Sequence, residues 1–208
     1  MRIAYLLECL RRPNFFAMLE SASLIIFTYL LGSISSAILL SKIMGFEDPR
    51  SEGSKNPGAT NVLRIAGKKA AVLTLIGDCL KGFIPVLIGQ WLDAEQWVLA
   101  ATLFAAFIGH CYPMYFGFQG GKGVATAIAG TVAFNWIIGA ILIGIWLIIA
   151  KVFRISSLAA IIGFAGLPLL VLWFTQALIP TLIFVAISII LIWRHRGNIQ
   201  RILAGTEG

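Results

Sequence analysis

A glycine-rich stretch around one positive charge carries the residue types that can bind an anion. Residues 116–126 read FGFQGGKGVAT, in which four glycines at positions 117, 120, 121 and 123 surround Lys122. Glycine lets the backbone approach a ligand closely and turn through positive φ. A helix that starts directly after this stretch would point unpaired N–H groups and the positive end of its dipole back at it. The stretch predicts a phosphate cradle, and the alternative is a flexible turn at a membrane surface, because short motifs match by chance.

The composition places the chain in a membrane. Of its 208 residues, 59% are hydrophobic and 12% are charged, whereas soluble domains carry about 25% charged residues. A net charge of +7 could suit nucleic acid, but in a membrane protein it more often reflects loop topology, so we expect no nucleic-acid partner. The three cysteines lack Cys-x-x-Cys spacing and the two histidines are far apart, which predicts neither a disulfide framework nor a metal site.

Apolar segments that are long enough for membrane helices succeed one another along the chain. They cover about residues 24–44, 70–91, 97–115, 158–174 and 178–193, and the stretch 124–150 is either one very long helix or two short ones broken near Asn135. Basic residues fall in 42–69, at Lys122, in 151–154 and after 193, while the turns at 93–95 and 175–176 have none. The positive-inside rule puts every basic loop in the cytoplasm only if residues 124–150 cross twice.

The predicted fold class is therefore an all-α polytopic membrane protein with seven transmembrane helices, its N-terminus outside and its C-terminus cytoplasmic. The fourth and fifth helices are expected to be short, with roughly 13–15 residues each, or about 20 Å at 1.5 Å per residue. The glycine stretch can therefore lie below the membrane surface. Residues 1–22 are expected to be an N-terminal extension of uncertain start, at Met1 or Met18, and residues 23–208 one membrane-embedded domain.

The longest predicted cytoplasmic loop offers a second group of polar residues. Asn56 and Pro57 are typical of a helix start, and the helix is expected to run to about Ala66. Candidate ligands of an anion in this loop are Ser54, Asn56, Thr60, Asn61 and Arg64, the last of which can bind phosphate bidentately. The loop is either half of a phosphate site or a capped interfacial helix with a solvated basic end.

Further polar residues lie in or beside apolar segments. Intramembrane charges are costly and usually functional, but Asp78 and Lys81 are three residues apart, so a mutual ion pair that pins helices together is the favoured interpretation. His110 is expected to be a hydrogen-bonded packing residue. The basic stretch 193–201 is either a membrane anchor or part of a site, and His195 and Asn198, which share a helix face within it, are the candidate site residues.

Three long motifs occur in order and resemble one family. Residues 53–64 (GSKNPGATNVLR), 109–126 (GHCYPMYFGFQGGKGVAT) and 194–201 (RHRGNIQR) are similar to motifs of the bacterial acyl-phosphate:glycerol-3-phosphate acyltransferase family, PlsY. The resemblance implies seven helices in the bacterial inner membrane and an active site on the cytoplasmic side. It also implies transfer of a fatty acyl group from acyl phosphate to the 1-hydroxyl of glycerol 3-phosphate, giving lysophosphatidic acid and phosphate, the first step of phospholipid synthesis.

The expected mechanism is direct transfer without an acyl-enzyme, a metal or a cofactor. Acyltransferases that use a histidine base carry His-x-x-x-x-Asp, but here Tyr115 stands five residues after His110 and Gln200 five after His195. Lys122 with Gly120, Gly121 and Gly123 is expected to hold acyl phosphate. The expected ligands of glycerol phosphate are Ser54, Arg64, His195 and Asn198, with Asn56, Thr60 and Asn61 ordering the loop or joining the site.

Two other classes of protein remain open at this point. A phosphate or organophosphate transporter would use the same cations, but at the membrane midplane between repeats, and a non-catalytic scaffold would leave the glycine stretch unexplained. The polar groups are expected to lie together at the cytoplasmic end of the helices rather than at the membrane midplane, which favours an enzyme. Its expected partners are the two substrates and membrane lipid, with no obligate protein partner evident.

Overall fold

The computed structural model describes residues 15–207, and all regular secondary structure in that range is helical. Nine α-helices and one 3-10 turn at Met114–Phe116 follow in order. The α-helices are α1 Phe15–Gly32, α2 Ser36–Met44, α3 Ala59–Trp91, α4 Gln96–Cys111, α5 Val124–Phe134, α6 Trp136–Phe153, α7 Ser156–Thr175, α8 Leu178–Arg194 and α9 Arg196–Leu203. Of the expected N-terminal extension, residues 15–22 belong to α1, and residues 1–14 lie outside the described range.

The predicted helical membrane architecture is confirmed. Four stretches are each long and apolar enough to cross a bilayer, namely α3, α6, α7 and the run Gln96–Phe116 that contains α4. Two bent pairs, α1 with α2 and α8 with α9, would each make a further span, and α5 is a shorter apolar helix. The count of seven spans and the direction of the termini stay predictions.

The predicted break at Asn135 is confirmed, but the two helices it separates differ in length. Asn135 has an extended backbone, and its side-chain oxygen accepts hydrogen bonds from the amides of Ile137 and Ile138 at 3.0 and 3.2 Å, which caps α6. The expectation of two short helices holds for α5, with 11 residues, and is wrong for α6, with 18. The reason is that the apolar run continues through Phe153, and Lys151 is compatible with the last turn of a helix.

The short helix α5 lies in the interior of the bundle, packed against α3, α4 and α6. At its C-terminal end, Gln90 near the end of α3 donates to the carbonyls of Ala133 and Phe134 at 2.7 and 3.3 Å, so both helices end at one level. Eleven residues reach about 16 Å, roughly half of a 30 Å hydrocarbon core. Residues 120–123 of the glycine stretch, directly before α5, therefore lie inside the bundle, whereas residues 117–119 are exposed.

Candidate active site

A cavity of about 890 Å³ lies at the N-terminal end of α5. One part of its wall is polar and comes from the loop before α3, α3 itself, the end of α4, the glycine stretch, the start of α7, and the chain from His195 onwards. Another part is apolar and comes from α3, α5 and α6. The polar lining includes Ser54, Asn56, Thr60, Asn61, Arg64, Lys68, Lys122, Ser157, His195, Asn198, Arg201 and Glu207.

The structure places most of the candidate residues around this cavity, whereas Gly120 and Gly121 lie behind its wall. Of loop residues 120–123, Lys122 and Gly123 line the cavity, and Gly120 and Gly121 are buried beside His110. The Gly121 amide donates to the His110 carbonyl at 3.2 Å. Direct contact of these two glycines with substrate stays a prediction.

Asn61 organises the loop before α3. It is 1% exposed, and its side-chain oxygen accepts from the Ser54 amide at 2.8 Å. Its side-chain nitrogen donates to the carbonyls of Pro49 and Glu52, both at 3.0 Å. Because the amide is satisfied by backbone groups on both sides, the contacts favour loop ordering over direct substrate contact.

The start of α3 differs from the prediction. The N-cap is Gly58 rather than Asn56, and the helix begins at Ala59. The Gly58 amide donates to the Asn56 carbonyl at 2.9 Å, and this tight turn leaves Pro57 outside the helix. Asn56 instead lines the cavity. The expected end of the first helical stretch near Ala66 is confirmed, because Gly67 breaks α3 with φ 79° and ψ −177°.

Lys122 belongs to a chain of side chains that ends on a carboxylate. Its ammonium donates to the side-chain oxygen of Asn198, whose nitrogen donates to Glu207. Glu207 also accepts from Ser157 at 2.7 Å and from Arg201 at 2.6 Å. These contacts fix which way the Asn198 amide faces, with its oxygen towards Lys122.

Sequence reasoning missed Glu207, Ser157 and Arg194. Glu207 stands in a short polar tail, where a single carboxylate gives no spacing signal. Arg194 donates to the carbonyls of Gly120 and Gly121, 74 and 73 residues away in the chain. The sequence signal at Arg194 was its place in the motif at 194–201, which does not show what it touches.

Burial shifts the pKa of two titratable groups at the polar end of the cavity, Lys122 and His195. It lowers the pKa of Lys122 to about 8, a shift that nearby Glu207 opposes and that Arg201, Arg194 and Arg64 reinforce. Burial also lowers the pKa of His195 to about 4, partly opposed by its bond to the Leu191 carbonyl. At pH 7 Lys122 is therefore mostly charged and His195 is neutral.

The tautomer of His195 follows from its partner. Its Nδ1 lies 2.8 Å from the Leu191 carbonyl oxygen, which can only accept, so Nδ1 carries the proton and donates. In the neutral ring Nε2 then has a free lone pair. His195 thus offers a hydrogen-bond acceptor to the cavity that it lines.

The predicted Asp78–Lys81 ion pair is confirmed, at 3.0 Å. Both side chains are buried, and Lys81 also donates to the Ile34 carbonyl, in the break between α1 and α2, at 3.0 Å. His110 Nδ1 lies 3.5 Å from the same Asp78 oxygen and 3.4 Å from the Thr126 hydroxyl, in agreement with its predicted role as a packed, hydrogen-bonded residue. The cluster ties α3, α4 and α5 to the break after α1.

Removing one partner of this pair is expected to destabilise the fold. Lys81→Met leaves the Asp78 carboxylate buried beside His110 alone, which should cost about 3–5 kcal/mol of unfolding free energy. Thermal denaturation in detergent measures the effect. The double variant Asp78→Asn with Lys81→Met removes both charges and should recover much of the loss, and a double variant no more stable than Lys81→Met would contradict the pairing.

Similarity to known proteins covers nearly the whole described chain. Residues 22–205 match the family model described as glycerol-3-phosphate acyltransferase. Glycerol-3-phosphate acyltransferases of Methylococcus capsulatus and Halorhodospira halophila are 50% and 48% identical to it over 186 and 185 residues, 88% of this chain and 93% of each relative. The crystal structure of PlsY in its glycerol 3-phosphate form superposes with a TM-score of 0.86 at 40% identity, covering 91% of this chain and 94% of that one. PlsY in its lysophosphatidic acid form gives 0.83. The chain therefore belongs to the glycerol-3-phosphate acyltransferase family.

Proposed function

We propose that this protein moves a fatty acyl group from acyl phosphate to the 1-hydroxyl of glycerol 3-phosphate, giving lysophosphatidic acid and inorganic phosphate. The observation that carries the proposal is one cavity that joins a cation-rich end to an apolar groove. An acyl phosphate has this same division, with a charged head and an apolar chain. Family membership and the likeness to PlsY in its glycerol 3-phosphate and lysophosphatidic acid forms support the acceptor and the product.

The acyl phosphate would lie with its phosphate at the start of α5. Lys122 supplies a cation there, and the first turn of α5 supplies backbone N–H groups and the positive end of a helix dipole. The acyl chain would follow the apolar wall of the cavity, which α3, α5 and α6 form. That wall includes Val72, Leu75, Cys79, Ile128, Ile143 and Leu147. Val72, Leu75, Ile143 and Leu147 are also exposed, which supports a route for the donor from the membrane.

Glycerol 3-phosphate would enter from the loop before α3. Arg64 and Ser54 line this part of the cavity and suit its phosphate, and Thr60 precedes Arg64 by one helical turn. The neutral His195, with its free Nε2, suits a glycerol hydroxyl better than a phosphate. Asn198 is held by Lys122 and Glu207, so it would connect the two substrates' sites.

The transfer is proposed to be a single displacement. The 1-hydroxyl oxygen attacks the acyl carbonyl carbon, the bond between that carbon and the phosphate oxygen breaks, and phosphate leaves with the bonding electrons. Lys122 and the backbone N–H groups of α5 stabilise the charge on the leaving phosphate. The hydroxyl proton passes to a phosphate oxygen of the substrates. A histidine with a pKa of about 4 is a weak base, so His195 would orient the hydroxyl rather than take its proton.

The assay that tests this proposal supplies purified protein with glycerol 3-phosphate and one of three donors. Lysophosphatidic acid formed from acyl phosphate, and not from acyl-CoA or from an acylated acyl carrier protein, would support the donor assignment. A covalently acylated protein trapped with acyl phosphate alone would refute direct transfer. Phosphate uptake into liposomes without acyl transfer would favour a transporter instead.

The proposed topology places the polar end of the cavity on the cytoplasmic side of the bacterial inner membrane, with seven spans, an outer N-terminus and a cytoplasmic C-terminus. Support comes from the positive-inside rule, because the turn at Asp93 and Glu95 lacks basic residues, whereas the loop before α3 carries Arg50 and Lys55 and the first turns of α3 carry Arg64, Lys68 and Lys69. In a Cys9→Ser background, an impermeant thiol reagent applied to intact spheroplasts should label Glu95→Cys and spare Lys69→Cys. The reverse pattern would invert the topology.

The pKa of Lys122 predicts an alkaline fall in activity. Lys122 has a pKa of about 8. At pH values below it the free enzyme carries the ammonium, and at higher pH the charge that binds the phosphate is lost. The kcat/KM for acyl phosphate should therefore fall by about tenfold per pH unit above that value, since this parameter reports free-enzyme ionisation. Lys122→Arg, whose side chain stays charged, should move the fall to higher pH. An unchanged alkaline limb in Lys122→Arg would assign it to another group.

A further inference from the structure

Arg194, the last residue of α8, holds the glycine stretch by its carbonyl groups. Its guanidinium donates to the Gly120 carbonyl at 2.6 Å and to the Gly121 carbonyl at 2.9 and 3.1 Å. The same guanidinium lies 5.3 Å from the centre of the Tyr112 ring, within the range of a cation–π contact. One side chain is therefore bound to two consecutive peptide groups of the loop.

Fixing these carbonyls also fixes the amides that follow them. In a trans peptide the C=O of one residue and the N–H of the next point in opposite directions. A Gly121 carbonyl turned towards Arg194 thus turns the Lys122 amide away from it, and Lys122 lines the cavity. A Gly120 carbonyl turned towards Arg194 turns the Gly121 amide towards the His110 carbonyl, which accepts from it at 3.2 Å.

We propose that Arg194 is the positioning residue of the phosphate site, which turns the loop so that the Lys122 amide and side chain, rather than the Gly120 and Gly121 carbonyl oxygens, meet the donor's phosphate. Carbonyl oxygens carry partial negative charge and would repel that group. The inference rests on the proposed function for its ligand, acyl phosphate. It goes beyond that function because Arg194 acts through the loop and not by touching the substrate.

The position of Arg194 links the loop to the acceptor side of the cavity. It directly precedes His195, and Asn198 follows four residues later in α9. Backbone bonds hold His195 independently, through its amide to the Leu191 and Ile192 carbonyls at 3.1 and 3.0 Å. Loss of the guanidinium should therefore disturb the loop more than the acceptor site.

Arg196 provides a matched control two residues away. It is exposed, lies 4.4 Å over the Trp193 ring and contacts the Trp193 carbonyl at 3.4 Å. Arg194→Gln should lower kcat/KM for acyl phosphate by about 30-fold, the loss expected for charged hydrogen bonds, with KM for glycerol 3-phosphate within threefold of the parent. Arg196→Gln should change neither value by more than about twofold. Arg194→Lys, which cannot bind both carbonyls in the same fork, should lie between the parent and Arg194→Gln.

Chemical rescue separates positioning from a general structural role. Millimolar guanidinium should restore part of the activity of Arg194→Ala and none of that of Lys122→Ala. Equal loss in Arg194→Gln and Arg196→Gln, a loss confined to KM for glycerol 3-phosphate, or Arg194→Ala without rescue would each overturn the proposal.

A binding measurement tests Arg194 even if the proposed reaction fails. Inorganic phosphate should raise the melting temperature of the parent and of Arg196→Gln. The increment should be smaller in Arg194→Gln, where only the Arg64 side of the cavity still binds phosphate as in the parent. An undiminished increment in Arg194→Gln would overturn the positioning role. Parent protein that binds phosphate but transfers no acyl group would refute the proposed function and leave the role of Arg194 to be decided by this increment.

Discussion

Lys122→Ala is expected to lower kcat for acyl transfer by about 10³-fold. Lys122 lies at the start of α5, and its positive charge is proposed to stabilise the negatively charged leaving phosphate. Its ammonium is partly buried and donates a hydrogen bond to the side-chain oxygen of Asn198. Since no carboxylate is left unpaired directly against it, removal should spare the fold. Steady-state assays with acyl phosphate, together with a melting temperature close to that of the parent, measure both parts.

Two controls make the result specific. Lys69→Ala removes an exposed lysine of α3, outside the set that lines the cavity, and should keep near-parental activity. Lys122→Arg keeps the charge in a larger side chain and should retain more activity than Lys122→Ala. Near-normal turnover in Lys122→Ala would remove the cradle from the mechanism, even if the protein is a confirmed acyltransferase.

The architecture was largely predictable because membranes impose strong rules. Apolar length and the distribution of basic residues determined the break at Asn135, where an amide side chain then caps α6. Those rules say nothing about where a helix ends inside a continuous apolar run, so the length of α6 was missed. The predicted cap at Asn56 is wrong because a tight turn at Gly58 competes with the helix start that Asn-Pro usually makes.

The site was predictable where one motif contains its own chemistry and not where distant residues meet. Lys122 and Gly123 stand in one stretch, so their place beside the cavity could be inferred from sequence. Arg194 could equally be a cytoplasmic anchor, because neither charge nor spacing reveals that it reaches Gly120 and Gly121. The place of Glu207 could not be predicted for the same reason, since its partners Ser157 and Asn198 come from different helices.

Gly123→Ala is expected to lower kcat/KM by about 10²-fold, the scale of a small misplacement of reacting groups. Gly123 is the N-cap of α5 and has φ 81°, in the left-handed region. A Cβ there would also overlap the ring of Phe107 and come within 3.2 Å of the Cys111 sulfur. Phe107 is fully buried, so the backbone must shift, and with it Lys122 and the first turn of α5. Activity and melting temperature of the purified variant measure the effect.

Gly117 separates backbone strain from crowding. It also has a left-handed backbone, with φ 64°, but a Cβ there would meet nothing within 4 Å. Gly117→Ala should therefore cost about 1 kcal/mol of stability and leave kcat/KM within a few-fold of the parent. Phe107→Leu combined with Gly123→Ala makes room for the added methyl group and should recover activity relative to Gly123→Ala alone. If Gly123→Ala behaves like Gly117→Ala, close packing against Phe107 does not set the position of Lys122.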